Sequence, residues 1–142
     1  MPRYLGVDVG TRRVGLAISD PSGTFALPLL VIDDTDAARS AARAAAVAVE
    51  EGVAGVVVGL PLLPSGEDSA STTAARAYAH LLGAQIEVPL EFFDERLSTY
   101  EAQSSLRRAG VSARKAKGRI DAHAATVILQ AYLDQNRSSI EP

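Results

Sequence analysis

The stretch "YLGVDVGTRRVGLAISDPSGTFALPLLVI", residues 4–32, reads as three consecutive strands. Tyr4–Val9 and Val14–Ser19 are apolar runs joined through Gly10, Thr11, Arg12 and Arg13, the spacing of a hairpin. Asp20-Pro21-Ser22-Gly23 then places Asp, Pro and Gly where a type I turn prefers them, so a third strand at about Phe25–Ile32 should return antiparallel. One residue does not suit a buried strand. Asp8 lies in the first of the three, with Gly6 and Gly10 two positions to either side and Gly15 and Ala17 on the expected partner strand. Either it ends the strand facing water and satisfies the hairpin backbone, or it is a half-buried carboxylate that needs a cation beside it. In the second case the surrounding glycines leave room for a ligand.

Working outward, Asp33, Asp34, Thr35 and Asp36 supply acids and a cap for an alanine-dense helix that Gly52 ends. "GVVVG", Gly55–Gly59, is short, β-branched and unrelieved by polar residues, as a strand buried on both faces should be. A loop, "LPLLPSGEDS", follows, then a helix over Ser69–Leu82 ending at Gly83, then a strand "IEVPLEFF" at 86–93. "STYE", Ser98–Glu101, matches a capping box and predicts a helix to about Ala109, stopped by Gly110. "GVSARKAKG", 110–118, has no periodicity and reads as a basic loop. A last helix is expected from about Arg119 to Gln135, its buried stripe made of Ile120, Ala124, Val127, Ile128 and Ala131. Three antiparallel strands followed by alternating helix and strand imply an α/β fold: a mixed five-stranded sheet, antiparallel and then parallel, flanked by helices.

The 142 residues suit a single domain over 1–142 with a real core, and 47% hydrophobic against 22% charged residues excludes a disordered or fibrous chain. No apolar run approaches the roughly 20 residues that span a bilayer, and the N-terminus has no signal-peptide organisation, so a cytoplasmic protein without membrane contact is expected. The absence of cysteine excludes disulfides, thiolate metal sites and thiol nucleophiles. A net charge of −3 disfavours indiscriminate binding to nucleic acid. Between Arg96 and Arg119, however, Arg96, Arg107, Arg108, Arg114, Lys115, Lys117 and Arg119 face the single acid Glu101, a local asymmetry that suits either a solvated face or a polyanionic partner.

Two further places hold acids where chemistry could use them. Asp94 and Glu95 stand at the end of the "IEVPLEFF" strand, where a rigid scaffold presents side chains, although acids ahead of a helix also stabilise its dipole. Arg96 could pair with either. Asp121, at the start of the last helix, has the same two readings. If Asp8, Asp94 or Glu95, and Asp121 converge, they answer one chemical demand. In-line hydrolysis of a phosphodiester needs charge neutralised at both the attacking and the leaving oxygen, which two Mg²⁺ or Mn²⁺ ions about 4 Å apart achieve. Such hard cations take carboxylate oxygen. His123 and His80 have no evident partner and read as surface histidines. Gly59–Gly66 lacks the lysine and the ending of a Walker loop.

Four blocks, "GVDVGTRRVGLAISD", "VVVGLPLLPSG", "FFDERLSTYEA" and "KGRIDAHAATVILQAYL", resemble in order, nearly end to end, the signature blocks of the YqgF/RuvX family of Holliday junction resolvases and pre-16S rRNA nucleases. The resemblance implies a ribonuclease-H-like fold and an Mg²⁺- or Mn²⁺-dependent nuclease, with Asp8, Glu95 and Asp121 at the catalytic acidic positions and Asp94 assisting in holding metal. It makes Thr11, Arg12, Arg96, Arg114, Lys115, Lys117 and Arg119 candidates for phosphate contact. The chain departs from the wider resolvase pattern in two places. "VVVGLP" ends without an acid, so the second carboxylate must come from Asp94 or Glu95, and "DAHAA" has no second acid close behind Asp121. Precursor 16S rRNA is the substrate the resemblance favours; branched DNA, cut by a homodimer, is the alternative.

Two rival classes share the fold. Sugar-kinase, actin and Hsp70-type ATPases open with a similar turn, here Asp8–Thr11, but they close nucleotide between two lobes, and 142 residues without a second D-x-G offer only one. Inactive nucleic-acid-binding or scaffolding modules are the other class, against which the retention of three acids weighs.

Overall fold

In the computed structural model of the chain, which describes residues 2–98 and 122–140, the three opening strands form an antiparallel meander. β1 (Tyr4–Val9) pairs with β2 (Arg13–Ser19), placing Leu5 opposite Ile18 and Asp8 opposite Gly15. The hairpin closes when the Gly10 N–H donates to the Arg13 carbonyl at 2.9 Å. A Cβ on Gly10 would lie 2.6 Å from that oxygen, so any other residue must open the turn. In the next turn the Gly23 N–H donates to the Asp20 carbonyl at 2.9 Å, while the Asp20 carboxylate accepts from the amides of Thr24 and Phe25. β3 (Ala26–Asp33) then runs antiparallel to β2, with a register shift between Leu16 and Ala17.

The chain continues through α1 (Ala37–Glu51), β4 (Gly55–Leu60), α2 (Ala70–Gly83), β5 (Leu90–Asp94), a 3₁₀ turn (Glu95–Leu97) and α3 (His123–Ile140). The sheet order is β3-β2-β1-β4-β5, with β1, β4 and β5 parallel, which is the mixed five-stranded sheet that the element order implies. α1 begins where Asp36 accepts the Arg39 N–H and ends at Gly52 in the left-handed conformation, φ 62°. Ser69 and Thr72 form a reciprocal capping box at the start of α2.

Three expectations differ from what is observed. β5 starts at Leu90 instead of Ile86, because Pro89 has no N–H to give the ladder and contributes only its carbonyl, which accepts from Val56 at 2.9 Å. Gly83 is the last residue of α2, and Ala84, in right-handed conformation, caps it. Ser98 closes the 3₁₀ turn, its hydroxyl donating to the Glu95 carbonyl at 2.6 Å; the helix expected from Ser98 to about Ala109, and the basic loop 110–118, lie outside the described residues. The last helix has no narrow stripe. Ala124 is exposed, whereas every residue from Ala125 to Ala131 is buried; Arg119 and Ile120 lie outside the described residues.

Strand alternation explains which helix covers which face. Leu5 and Val7, Val14, Leu16 and Ile18, and Val56 and Val58 all point to one side, where they pack with α1 and α2. The other side carries Ala17, Val57 and Phe93 against Ala125, Ile128 and Leu129 of α3. The pleat sends Gly6, Asp8, Gly15 and Gly59 to this second side as well. The resulting floor is shallow, and α3 lies close to it: a Cβ on Gly6 would stand 2.8 Å from Leu129 Cβ and 3.1 Å from the Ala125 carbonyl. Fully buried Gln130 ties α3 to the turn and β3, its oxygen accepting from the Ala26 N–H at 2.9 Å and its amide donating to the Thr24 carbonyl at 3.0 Å.

Candidate active site

Asp8 is the last polar position of β1 on the α3 side, two residues beyond Gly6. β1 and β4 are parallel, and their ladder runs through Val7 opposite Val58. Extending it by one step sets Asp8 beside Gly59, the next residue on the same face. β4 and β5 are likewise parallel, with Gly59 opposite Phe93 and Leu60 opposite Asp94. Beyond β5 the chain tightens into the 3₁₀ turn, and this swings Glu95 back over the sheet. Its Oε2 would stand 3.0 Å from a Cβ on Gly59, and Ile128 Cδ1 of α3 only 2.5 Å from the same point. Gly59 therefore supplies the hollow in which the Glu95 carboxylate lies between sheet and helix.

The electrostatics follow from this placement. Asp8 and Glu95 are both half-buried. Burial pushes the Asp8 carboxyl above its ordinary value. The Glu95 carboxyl is pushed up to about 7, first by burial and then by the negative charges of Asp8 and Asp94. Among the described residues no cation is paired with Asp8 or Glu95. Two carboxylates from distant segments thus share one hollow with no compensating cation among the described residues, an arrangement that costs stability unless a positive charge joins it.

Asp94 is placed differently. Its carboxylate accepts from Arg96 Nη2 at 2.7 Å, from Arg96 Nε at 3.0 Å and from the Arg96 N–H at 2.9 Å, and the guanidinium holds it below its usual range. The structure therefore brings Glu95 together with Asp8 and commits Asp94 to Arg96. Arg96 extends its Nη1 to the Pro64 carbonyl at 3.2 Å. Thr11 and Arg12 are exposed on the β1–β2 hairpin, with Arg12 Nε 3.7 Å from Asp33. His80 and His123 are exposed, as their lack of partners suggested. Asp121, Arg114, Lys115, Lys117 and Arg119 lie outside the described residues.

The donor set fits a hard divalent cation: two carboxylates, no sulfur and no imidazole. Among the described residues no cluster of three ligating side chains occurs. Asp121 immediately precedes Ala122, which is fully buried at the head of α3. Two features escaped the reading of the sequence: the part played by Gly59 and the tie from Arg96 to Pro64. The signal for the first was present, since a glycine one ladder step from Asp8 on a neighbouring parallel strand marks a place where something else needs the space.

The family profile described as "RuvX: Holliday junction resolvase" matches residues 2–135. A protein from Anaeromyxobacter sp. strain Fw109-5, provisionally named pre-16S rRNA nuclease, is 49% identical over 132 residues, covering 93% of this chain and 96% of its own length. One from Chloroflexus aggregans with the same provisional name is 44% identical over 134 residues, 94% of each chain. Among solved structures, RuvC of T. thermophilus in complex with a Holliday junction substrate superimposes with a TM-score of 0.74 at 16% identity, covering 98% of this chain and 97% of that one. The fowlpox virus Holliday junction resolvase does so with a TM-score of 0.54 at 11% identity, covering 94% and 99%. At such identities the likeness is one of fold, the ribonuclease-H-like fold of the resolvases.

Proposed function

Because the chain belongs to the RuvX family, we propose that it is a divalent-metal-dependent nuclease that hydrolyses phosphodiester bonds in structured RNA, with precursor 16S rRNA as substrate. The observation that carries this reading is the meeting of Asp8 and Glu95 over Gly59, two carboxylates whose proton affinities are raised and whose charge no described cation offsets. The names of its relatives supply the substrate.

Asp8, Glu95 and Asp121 would hold Mg²⁺ or Mn²⁺, two ions in all, with Asp94 adjacent. The metal's contribution when bound is to activate water and to neutralise charge at the attacking and leaving oxygens. The chain's own residues provide the rest. Asp8 lies within β1 and pairs with Gly15 of β2, so its position does not depend on a loop. Glu95 is held half-buried over Gly59 and under Ile128. Thr11 and Arg12 on the hairpin, with Arg114, Lys115, Lys117 and Arg119, would engage phosphates, which sets the register of the nucleic acid without reading its sequence. No protein nucleophile is needed. A cytoplasmic location suits this work, and no described helix is long and apolar enough to cross a membrane.

A second reading, resolution of branched DNA by a homodimer, is favoured by the description of the matching family. Resolution requires two symmetric cuts and hence two copies. One experiment separates the two: the purified protein is given precursor 16S rRNA, unstructured RNA and a synthetic four-way DNA junction, with Mg²⁺, Mn²⁺ or chelator. Metal-dependent cleavage of the rRNA precursor, abolished in Asp121→Asn with the fold retained, is the expected result. Cutting of the junction alone, in paired nicks, establishes the second reading; binding without cleavage of any substrate establishes a scaffold.

A further inference from the structure

Arg96 has the residue type of a phosphate contact, but its surroundings suit another task. Nε and Nη2 sit on the Asp94 carboxylate at 3.0 and 2.7 Å, and Nη1 donates to the Pro64 carbonyl at 3.2 Å. Pairing with Asp94 leaves the guanidinium little net charge to offer a phosphate. Pro64 belongs to the loop between β4 and α2, and the backbone bonds of that loop show what the contact achieves. Leu63 donates to the Glu67 carbonyl at 2.9 Å and Gly66 to the Leu63 carbonyl at 2.8 Å, so 63–67 is a turn bonded to itself. The Thr72 hydroxyl, donating to the Pro61 carbonyl at 2.6 Å, and the Arg76–Asp68 pair at 2.9 Å hold the loop to α2. Among the described residues Arg96 provides the hydrogen bond that fastens it to the end of β5.

This tie brackets the site. Asp94 and Arg96 are the residues on either side of Glu95, and the loop they grip leaves β4 one residue after Gly59, the floor beneath the Glu95 carboxylate. We propose that Arg96 is a positioning residue: with Asp94 it clamps the β4–α2 loop to the end of β5 and so fixes the direction in which Glu95 leaves the strand. The proposal rests on the nuclease reading for its catalytic consequence and on the hydrogen bonds alone for its structural one.

The test uses Arg96→Ala, Arg96→Lys, Asp94→Asn and the double variant Asp94→Asn/Arg96→Ala of the full chain. Two quantities are measured: amide hydrogen exchange of Leu62, Leu63 and Gly66 without nucleic acid, and kcat and KM for Mg²⁺-dependent cleavage of precursor rRNA. Each single change should speed exchange in the loop by about tenfold. It should lower kcat by roughly 10–100-fold with KM nearly constant, the scale of effect that misplacing a catalytic group produces. Arg96→Lys should not rescue, because one ammonium cannot grip Asp94 and Pro64 together. The double variant should be no worse than either single, since both remove one device. The clamp is overturned if Arg96→Lys behaves as the parent, or if Arg96→Ala raises KM while Asp94→Asn leaves exchange and kcat unchanged, the pattern of a phosphate contact. If the parent cleaves nothing, the nuclease reading fails and loop exchange still decides the clamp. If the parent cleaves and exchange is the same in all variants, the clamp alone fails.

Discussion

Glu95 shows how a single side chain can be tuned at the expense of the fold. Its folded-state value of about 7 lies above the ordinary 4.5, so between those values the native state binds more proton than the unfolded chain. Stability must therefore fall as pH rises through that window and level off above about 7. Glu95→Gln, which mimics the protonated form, should match the parent near pH 4 and exceed it at pH 8 in metal-free buffer. The gain should be on the order of 1–2 kcal/mol, the full shift being discounted for the part of the side chain still in contact with water. Denaturant titration at the two pH values measures this. Mn²⁺ should stabilise the parent at pH 8 and leave the variant largely unmoved, because only the parent retains the second ligand. Equal stability of parent and variant at pH 8 would show that the carboxylate is better solvated than the geometry requires.

At the scale of elements, the approach of α3 to the sheet is set by glycine. Gly6→Ala must push against Leu129 Cβ and the Ala125 backbone, neither of which can swing aside, and should cost about 1–3 kcal/mol in thermal or chemical unfolding. Gly59→Ala meets instead the movable end of Ile128 and the Glu95 carboxylate. It should therefore cost less stability and more activity, and adding Ile128→Val should recover stability without recovering cleavage. Gln130 gives a third comparison. Gln130→Leu keeps the volume but strands the buried Ala26 N–H, so a loss of roughly 1–3 kcal/mol is expected in the same unfolding assay. These elements also show what could be read from the sequence. The hairpin, the capped start of the first helix and the buried strand at Gly55–Gly59 were legible because each follows from local chemistry within a few residues. β5 was misplaced because Pro89 halts the ladder from its amide side. The burial of α3 on nearly all sides was hidden because it depends on how close two distant elements come.

In the whole molecule, the candidate site lies at the carboxyl ends of three parallel strands, β1, β4 and β5, on the face that α3 covers. Asp8 stood out in the sequence as a carboxylate in a strand meant for burial. Its meeting with Glu95 could be expected only from the strand order and the family resemblance, since nothing local records that residues 87 positions apart share a face. The resemblance already set Glu95 ahead of Asp94, and the structure adds the physical reason: Arg96 claims Asp94 and leaves Glu95 beside Asp8. The central claim is that Asp8 and Glu95 hold a divalent cation, and calorimetric titration of Mn²⁺ into the metal-free protein at pH 8 tests it most directly. The account predicts saturable binding by the parent and at least about tenfold weaker binding by Asp8→Asn and by Glu95→Gln, the scale on which metal-site changes act. Equal Mn²⁺ affinity in the parent and both variants would contradict it.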